Sequence, residues 1–227
     1  MKPIIEQLGI DITLPSIVAT FGRAAEGKSS FMACIIKELH DAGKNVSIIS
    51  DDSDALWMRR LKNVGCTSDG AKIIYKHLPI CGVLDVLTFI KKQKDAFPFI
   101  DCVVIDMSMS NNDGGMRELV SFIRNNDMML FTTQHQMGLN KTKPYDALTN
   151  VNTRVEKMMT SDVAISIQRN REPKLSLWKR FLNLFRPIFG FEKYVAPNTQ
   201  LTVLKNRRGA TGYNVDYNLD FSKINTK

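Results

Sequence analysis

The chain has 227 residues, with 31 Lys and Arg against 23 Asp and Glu, for a formal charge of +8 and a pI near 9.3. Hydrophobic residues make up 44% and charged ones 24%, which excludes a disordered or fibrous chain and predicts one folded domain that needs no metal or disulfide staple. The four cysteines, Cys34, Cys66, Cys81 and Cys102, form no C-x-x-C pair; this argues against a zinc site and a secreted disulfide framework and points to a reducing, cytoplasmic setting. No stretch reaches about 18 uninterrupted apolar residues, and MKPIIEQLGIDITLPS at the N-terminus has no signal-like h-region, so neither a membrane span nor export is predicted.

The charge is uneven. Residues 1–170 hold 20 basic and 19 acidic side chains, net +1, and residues 171–227 hold 11 and 4, net +7. Such a surplus suits nucleic acid, a membrane surface or simple solubility, and its position along the chain bears on the choice.

In chain order, residues 16–21 (SIVATF) predict a buried strand, and residues 29–42 carry apolar residues at helical spacing up to Gly43. A strand at 46–50 (VSIIS), a helix at 53–63, a short strand at 73–77 and a helix at 83–93 follow. Next come a buried strand at 101–106 (DCVVID), a helix at 115–126 and a strand at 128–133. Strands alternating with helices of this length predict parallel βαβ units and an α/β layered domain. Residues 135–153 are polar and predict a long loop. Strand signals return at 163–168, 200–204 and 213–219; the last two flank KNRRGATG, whose Gly209 and Gly212 suit the turn of an antiparallel hairpin.

Between the first strand and the first long helix, Gly22-Arg23-Ala24-Ala25-Glu26-Gly27-Lys28-Ser29 matches G-x-x-x-x-G-K-[ST], and strand-loop-helix is the context that the motif requires. Its backbone N–H groups, with those of the following Ser30, suit the β- and γ-phosphates of a nucleotide, aided by the helix N-terminus. Lys28 would neutralise phosphate charge and the Ser29 hydroxyl would ligate Mg²⁺. Asp106, ending the CVVID strand, supplies the second magnesium partner. No guanine-reading [N/T]-K-x-D is present, which points to ATP.

Three further signals narrow the chemistry. Asp51, Asp52 and Asp54 follow the VSIIS strand, where a carboxylate suits polarising an attacking water. Gln134 ends MMLFTTQ, where an amide suits sensing a γ-phosphate. Lys205 and Arg207, spaced i, i+2 at the end of a late strand, suit an arginine finger reaching a neighbour's nucleotide.

This ordered set resembles the RecA-like ATPase core of the DnaB family, the superfamily 4 replicative helicases, including phage and mobile-element representatives. The likeness runs from IVATFGRAAEGKSSF through AGKNVSIISDD, FIDCVVID, MLFTTQ and SDVAISIQR to LTVLKNRRGATGYNVDYNLDF, and K-N-R-x-G-x-T-G is its most specific part. The resemblance implies a RecA-like P-loop fold with a mostly parallel central sheet and a late antiparallel hairpin, as one ATPase domain over 1–227 without the family's N-terminal collar. It implies that Gly22, Gly27, Lys28 and Ser29 bind the triphosphate and Mg²⁺, that Asp106 is the Walker B carboxylate and Gln134 the sensor, and that Lys205 and Arg207 act in trans within a hexameric ring or filament. The family's catalytic Glu falls where this chain has Ser50-Asp51-Asp52-Ser53, making Asp52 the first candidate and Asp51 the second. Single-stranded DNA is the implied substrate, with Lys141, Lys143, Arg154 and Lys157 as candidate phosphate contacts.

The likeness leaves an insertion at about 171–198. Leu175, Trp178, Leu182, Phe185 and Phe189 share one helical face, with Ser176, Lys179, Arg180, Asn183 and Arg186 off it. Such a helix could pack on its own domain, dock a neighbouring subunit or protein through residues 174–194, or lie on an anionic membrane surface. Three functions remain open: a DnaB-like helicase, a RecA-like recombination or accessory ATPase, and a hydrolysis-poor ATP-binding adaptor.

Overall fold

Val18, Ile48, Val104 and Phe131 belong to apolar runs buried on both faces, the pattern of central strands in a parallel sheet covered by helices on each side. A computed structural model describes residues 2–66, 72–78, 82–107, 115–135, 160–169, 179, 181–183 and 197–219. The strands are β1 (Ile17–Gly22), β2 (Val46–Ser50), β3 (Ile73–His77), β4 (Cys102–Asp106), β5 (Met129–His135), β6 (Val163–Arg169), β7 (Thr199–Asn206) and β8 (Asn214–Tyr217). They form one eight-stranded sheet in the order β3-β2-β4-β5-β1-β6-β7-β8. The six strands from β3 to β6 run parallel, and β7 and β8 close the sheet with antiparallel pairings. The expected α/β class and late hairpin are therefore present.

The helices are α1 (Ile4–Gln7), α2 (Lys28–Asp41), α3 (Asp54–Asn63), α4 (Val83–Ala96) and α5 (Met116–Asn125). Side chains alternate across each strand, so the sheet has two apolar faces. Phe31, Met32, Ile35 and Ile36 of α2 and Trp57 and Leu61 of α3 cover Val18, Ile48, Val104 and Phe131 on one face. Val86, Leu87 and Ile90 of α4 and Leu119 and Ile123 of α5 cover Ile49, Val103, Ile105 and Leu130 on the other. Local chemistry sets the helix ends. The Ser53 hydroxyl accepts from the Leu56 N–H at 3.3 Å, and Gly43, at φ +77°, lets the chain leave α2 for β2.

Helix α1 leaves no mark in the sequence pattern, because four residues are too few to show a period. It forms by docking: Ile4, Ile5, Leu8 and Ile10 join the core beside α2. The Glu38 carboxylate caps it, accepting the N–H groups of Ile4 at 2.7 Å and Ile5 at 2.9 Å. From the other side, Tyr213 Oη donates to Gln7 O at 3.2 Å and Asn206 Nδ2 to Gly9 O at 3.2 Å. The predicted loop at 135–153 lies, past His135, outside the described residues, as does nearly all of the insertion at 171–198.

Replacing Glu38 by Ala removes both cap acceptors from a four-residue helix. The expected loss is about 1–2 kcal/mol, read by urea unfolding, with faster amide exchange at Ile4 and Ile5 than elsewhere in the core.

Candidate functional site

The register aligns four polar side chains at the carboxyl edge of the parallel strands. Ser50 lies beside Asp106, Asp106 is one step past the Ile105–Thr132 pair and so beside Thr133, and Thr133 lies beside Thr20. All four share the face covered by α2, whose first turn brings Lys28 and Ser29 to the same row. Strand β5 sits between β1 and β4, the strand that ends in Asp106. Thr133 thereby reaches Asp106, its Oγ1 donating to Oδ1 at 2.7 Å. Sequence reading passed over Thr133, since its significance comes from strand order.

Asp106 is 6% exposed. Burial pushes its carboxyl above the ordinary range; hydrogen bonds from Ser29 and Thr133 and the Arg60 charge pull it back, and Asp52 adds a smaller push upward. The Ser50 hydroxyl donates to the Asp106 carbonyl at 2.9 Å, tying the ends of β2 and β4 together.

The glycine-rich loop is shaped by two constraints. Gly27 sits at φ +91° as the N-cap of α2, where a side chain would be strained. At Gly22 the reason is contact: a Cβ there would lie 2.6 Å from Ile167 Cγ2 and 3.0 Å from Ile167 O. Ala24 and Ala25 are exposed, Arg23 and Ser29 half-buried and Ser30 buried. Glu26 is buried and its carboxylate accepts the Arg169 N–H, so the loop is fastened to β6. Lys28 Nζ donates to Gly22 O at 3.0 Å and Arg23 O at 2.8 Å, folding the ammonium into its own loop. Burial lowers its pKa, against the upward pull of the Asp106 and Glu26 charges.

These residues fit a magnesium nucleotide. Ser29 and Asp106 present hard oxygen donors side by side, and Lys28 holds main-chain carbonyls that a phosphate can replace. The Thr20 hydroxyl, in the same row, is buried without a hydrogen-bond partner among the described residues. No group of three or more His, Cys, Asp or Glu converges among those residues. A magnesium ion at Ser29 and Asp106 would draw its other ligands from phosphate and water, as that ion ordinarily does.

Asp51 and Asp52 follow β2 at the same edge. Asp51 is exposed, and Asp52 is half-buried with its N–H, carbonyl and Oδ2 engaged. The Asp52 N–H donates to Ser50 Oγ at 3.1 Å, its carbonyl accepts from Tyr75 Oη and lies 2.9 Å from His77 Nδ1, and its Oδ2 pairs with Arg60 Nη1 at 2.5 Å. Arg60 is only 11% exposed and stacks over the Trp57 ring at 5.2 Å. Its position on α3 was visible in the sequence, yet nothing local distinguished it from Arg59. Gln134 is buried one step beyond Thr133, beside Phe21 in register, and alternation turns it toward the opposite face.

Lys205 and Arg207 lie at the other end of the sheet. Asn206 pairs with Val163 and Val163 with Val18, so this pair sits at the start of β1. The five residue steps from Ile17 to Gly22 span roughly 17 Å. Lys205 Nζ donates to Ser161 O at 2.6 Å, and Arg207 Nη1 lies 3.4 Å from Asp162 Oδ1. Lys141, Lys143, Arg154 and Lys157 fall outside the described residues. Among the described residues no helix is long and apolar enough to cross a membrane.

No protein-family model matches the chain, and no curated protein matches it.

Two measurements follow from this geometry. A carboxyl whose folded pKa exceeds its unfolded value holds extra proton in the folded state between the two, so stability falls as pH rises through that window. Asp106→Asn removes this loss: its melting temperature relative to wild type should shift in the variant's favour from pH 4 to pH 7, and a constant difference contradicts the raised carboxyl. Asp52→Ala strips a mostly buried guanidinium of its partner and should cost about 2 kcal/mol, less than a fully buried pair because Asp52 is 35% exposed. Asp51→Ala should stay within about 0.5 kcal/mol; urea unfolding of both variants separates the two aspartates.

Proposed function

We propose that this chain is an ATP-dependent DNA motor of the DnaB type, a RecA-like ATPase core that works as a hexameric ring or filament on single-stranded DNA. The observation that carries the proposal is the division of the sheet. Lys28, Ser29 and Asp106 meet at its carboxyl edge, while Lys205 and Arg207 occupy the amino edge, roughly 17 Å away along β1. A cation pair so placed can serve a second subunit's nucleotide and not its own.

Residues Gly22 to Ser30 would hold the triphosphate of ATP, with Ser29 and Asp106 holding Mg²⁺. Bound ATP supplies a γ-phosphoryl group to an attacking water. For its part, Lys28 exchanges the Gly22 and Arg23 carbonyls for phosphate oxygens. Asp52 accepts the water's proton on a carboxylate oxygen, with Asp51 as the alternative base. Gln134 would have to turn from the opposite face of β5 to sense the γ-phosphate, and it would then pass the occupancy of the site to the segment after β5. Lys205 and Arg207 of the adjacent subunit offset charge developing on the transferred group. Lys141, Lys143, Arg154 and Lys157 would contact DNA phosphates, giving binding that is strongly salt-dependent and indifferent to sequence.

One observation favours a second reading. The Asp52 carboxylate is paired with Arg60 at 2.5 Å, so an attacking water must compete with a guanidinium for Oδ2. This fits a hydrolysis-poor ATP-binding adaptor whose basic insertion, residues 174–194, would hold a protein partner or an anionic membrane surface. A recombination or accessory ATPase without unwinding shares the motor's geometry.

ATPase rate with and without single-stranded DNA, together with sizing in ATP, separates the ATPase readings from the adaptor. The motor predicts hexamers and DNA-stimulated turnover that Lys28→Ala abolishes. Arg207→Ala should lower kcat by about 10³-fold in the assembled protein. Nucleotide binding with neither turnover nor DNA response supports the adaptor.

A further inference from the structure

Three elements meet at the amino edge of the sheet: the last turn of α5 with Arg124, the residue before β6, Asp162, and the residue after β7, Arg207. Asp162 has a side chain 9% exposed, and both its oxygens are used. Oδ2 accepts the Ile17 N–H at 2.9 Å, and Oδ1 faces two guanidinium groups, Arg124 Nη2 at 2.9 Å and Arg207 Nη1 at 3.4 Å. Main-chain bonds keep the carboxylate in place, since the Asp162 N–H donates to Ile17 O at 2.8 Å and the Arg207 N–H to Asp162 O at 2.9 Å. Lys205 is the third cation in the group; burial first, and then the Arg207 charge, lower its pKa. Arg124, Lys205 and Arg207 therefore surround one carboxylate, and the guanidinium side chains are 41% and 46% exposed for Arg124 and Arg207.

The two guanidinium contacts are unequal. Arg124 holds Asp162 at normal hydrogen-bond length, and Arg207 is at the outer limit. We propose that Arg124 is a positioning residue for the trans-acting pair: it keeps buried Asp162 satisfied, so that Arg207 can leave for a phosphate on the adjacent subunit. The inference rests on the reading that Lys205 and Arg207 act in trans. Withdrawing the only cation from a buried carboxylate is strongly unfavourable. With Arg124 and the Ile17 N–H still in place, Asp162 keeps a charge-assisted pair and a backbone donor after Arg207 has gone. Without Arg124, Asp162 has Arg207 as its one guanidinium partner among the described residues and retains it.

The test is subunit mixing in the assembled protein with ATP. Arg124→Gln alone should lower kcat about tenfold, the effect of roughly 1.4 kcal/mol of added restraint, with KM for ATP changed less than about twofold. Arg124→Lys should recover most of the rate. Lys28→Ala subunits cannot hydrolyse ATP yet carry intact cation pairs, so mixing them with Arg124→Gln subunits should restore turnover, as mixing them with Arg207→Ala subunits should. Unchanged kcat in Arg124→Gln overturns the inference. Rescue of Arg207→Ala without rescue of Arg124→Gln overturns it alone, because Arg124 would then act within its own subunit. Failure to rescue Arg207→Ala overturns the trans reading and this inference with it.

Discussion

The carboxylate of Asp106 is buried at the end of a central strand, and the surroundings of the site are organised around keeping it there. A lone buried charge is costly, and the cost is met by hydroxyl donors from two other elements, Ser29 at the start of α2 and Thr133 at the end of β5. Both are available because β5 lies between β1 and β4 and because α2 follows β1 directly. The Lys28 ammonium, turned inward onto its loop carbonyls, adds positive charge to the same neighbourhood. Buried groups of this kind lower stability when alone and gain their use when a ligand of complementary charge arrives, the usual relation between strain and function.

Around Asp52 a different balance holds. Its N–H, carbonyl and carboxylate are each engaged, by Ser50, by Tyr75 and His77, and by Arg60. That network fixes the turn after β2 and gives the aspartate a structural role whatever its part in chemistry. Under the proposed function, a carboxylate serving two ends would either share its oxygens or release Arg60, and that choice would distinguish the two proposed readings.

The sheet also connects its two edges. β1 begins with Ile17, whose N–H is bound by Asp162, and ends at Gly22, where close packing on Ile167 excludes a side chain. Under the proposed trans reading, β1 would link the two edges: its amino end holds the Asp162 carboxylate that also faces Arg124 and Arg207, and its carboxyl end opens into the loop that carries Lys28.

Much of the framework was legible from residue order. The strands VSIIS and CVVID are short apolar runs with β-branched residues, their helices carry the 3.6-residue period, and the G-x-x-x-x-G-K-S loop falls between the two kinds of signal. These features are local, so the sequence by itself determined the α/β class, the position of the loop and the candidacy of Asp106 and the Lys205–Arg207 pair. Helix α1, the Thr133 bond to Asp106, the Arg60–Asp52 pair and the Arg124–Asp162–Arg207 group were decided by tertiary structure alone. The reason is physical: Thr133 owes its meaning to the strand order that seats β5 beside β4, and Arg124, Asp162 and Arg207 are separated by 38 and 45 positions in the chain. Periodicity and motif spacing carry no information across such gaps; only the folded sheet brings those charges to one carboxylate.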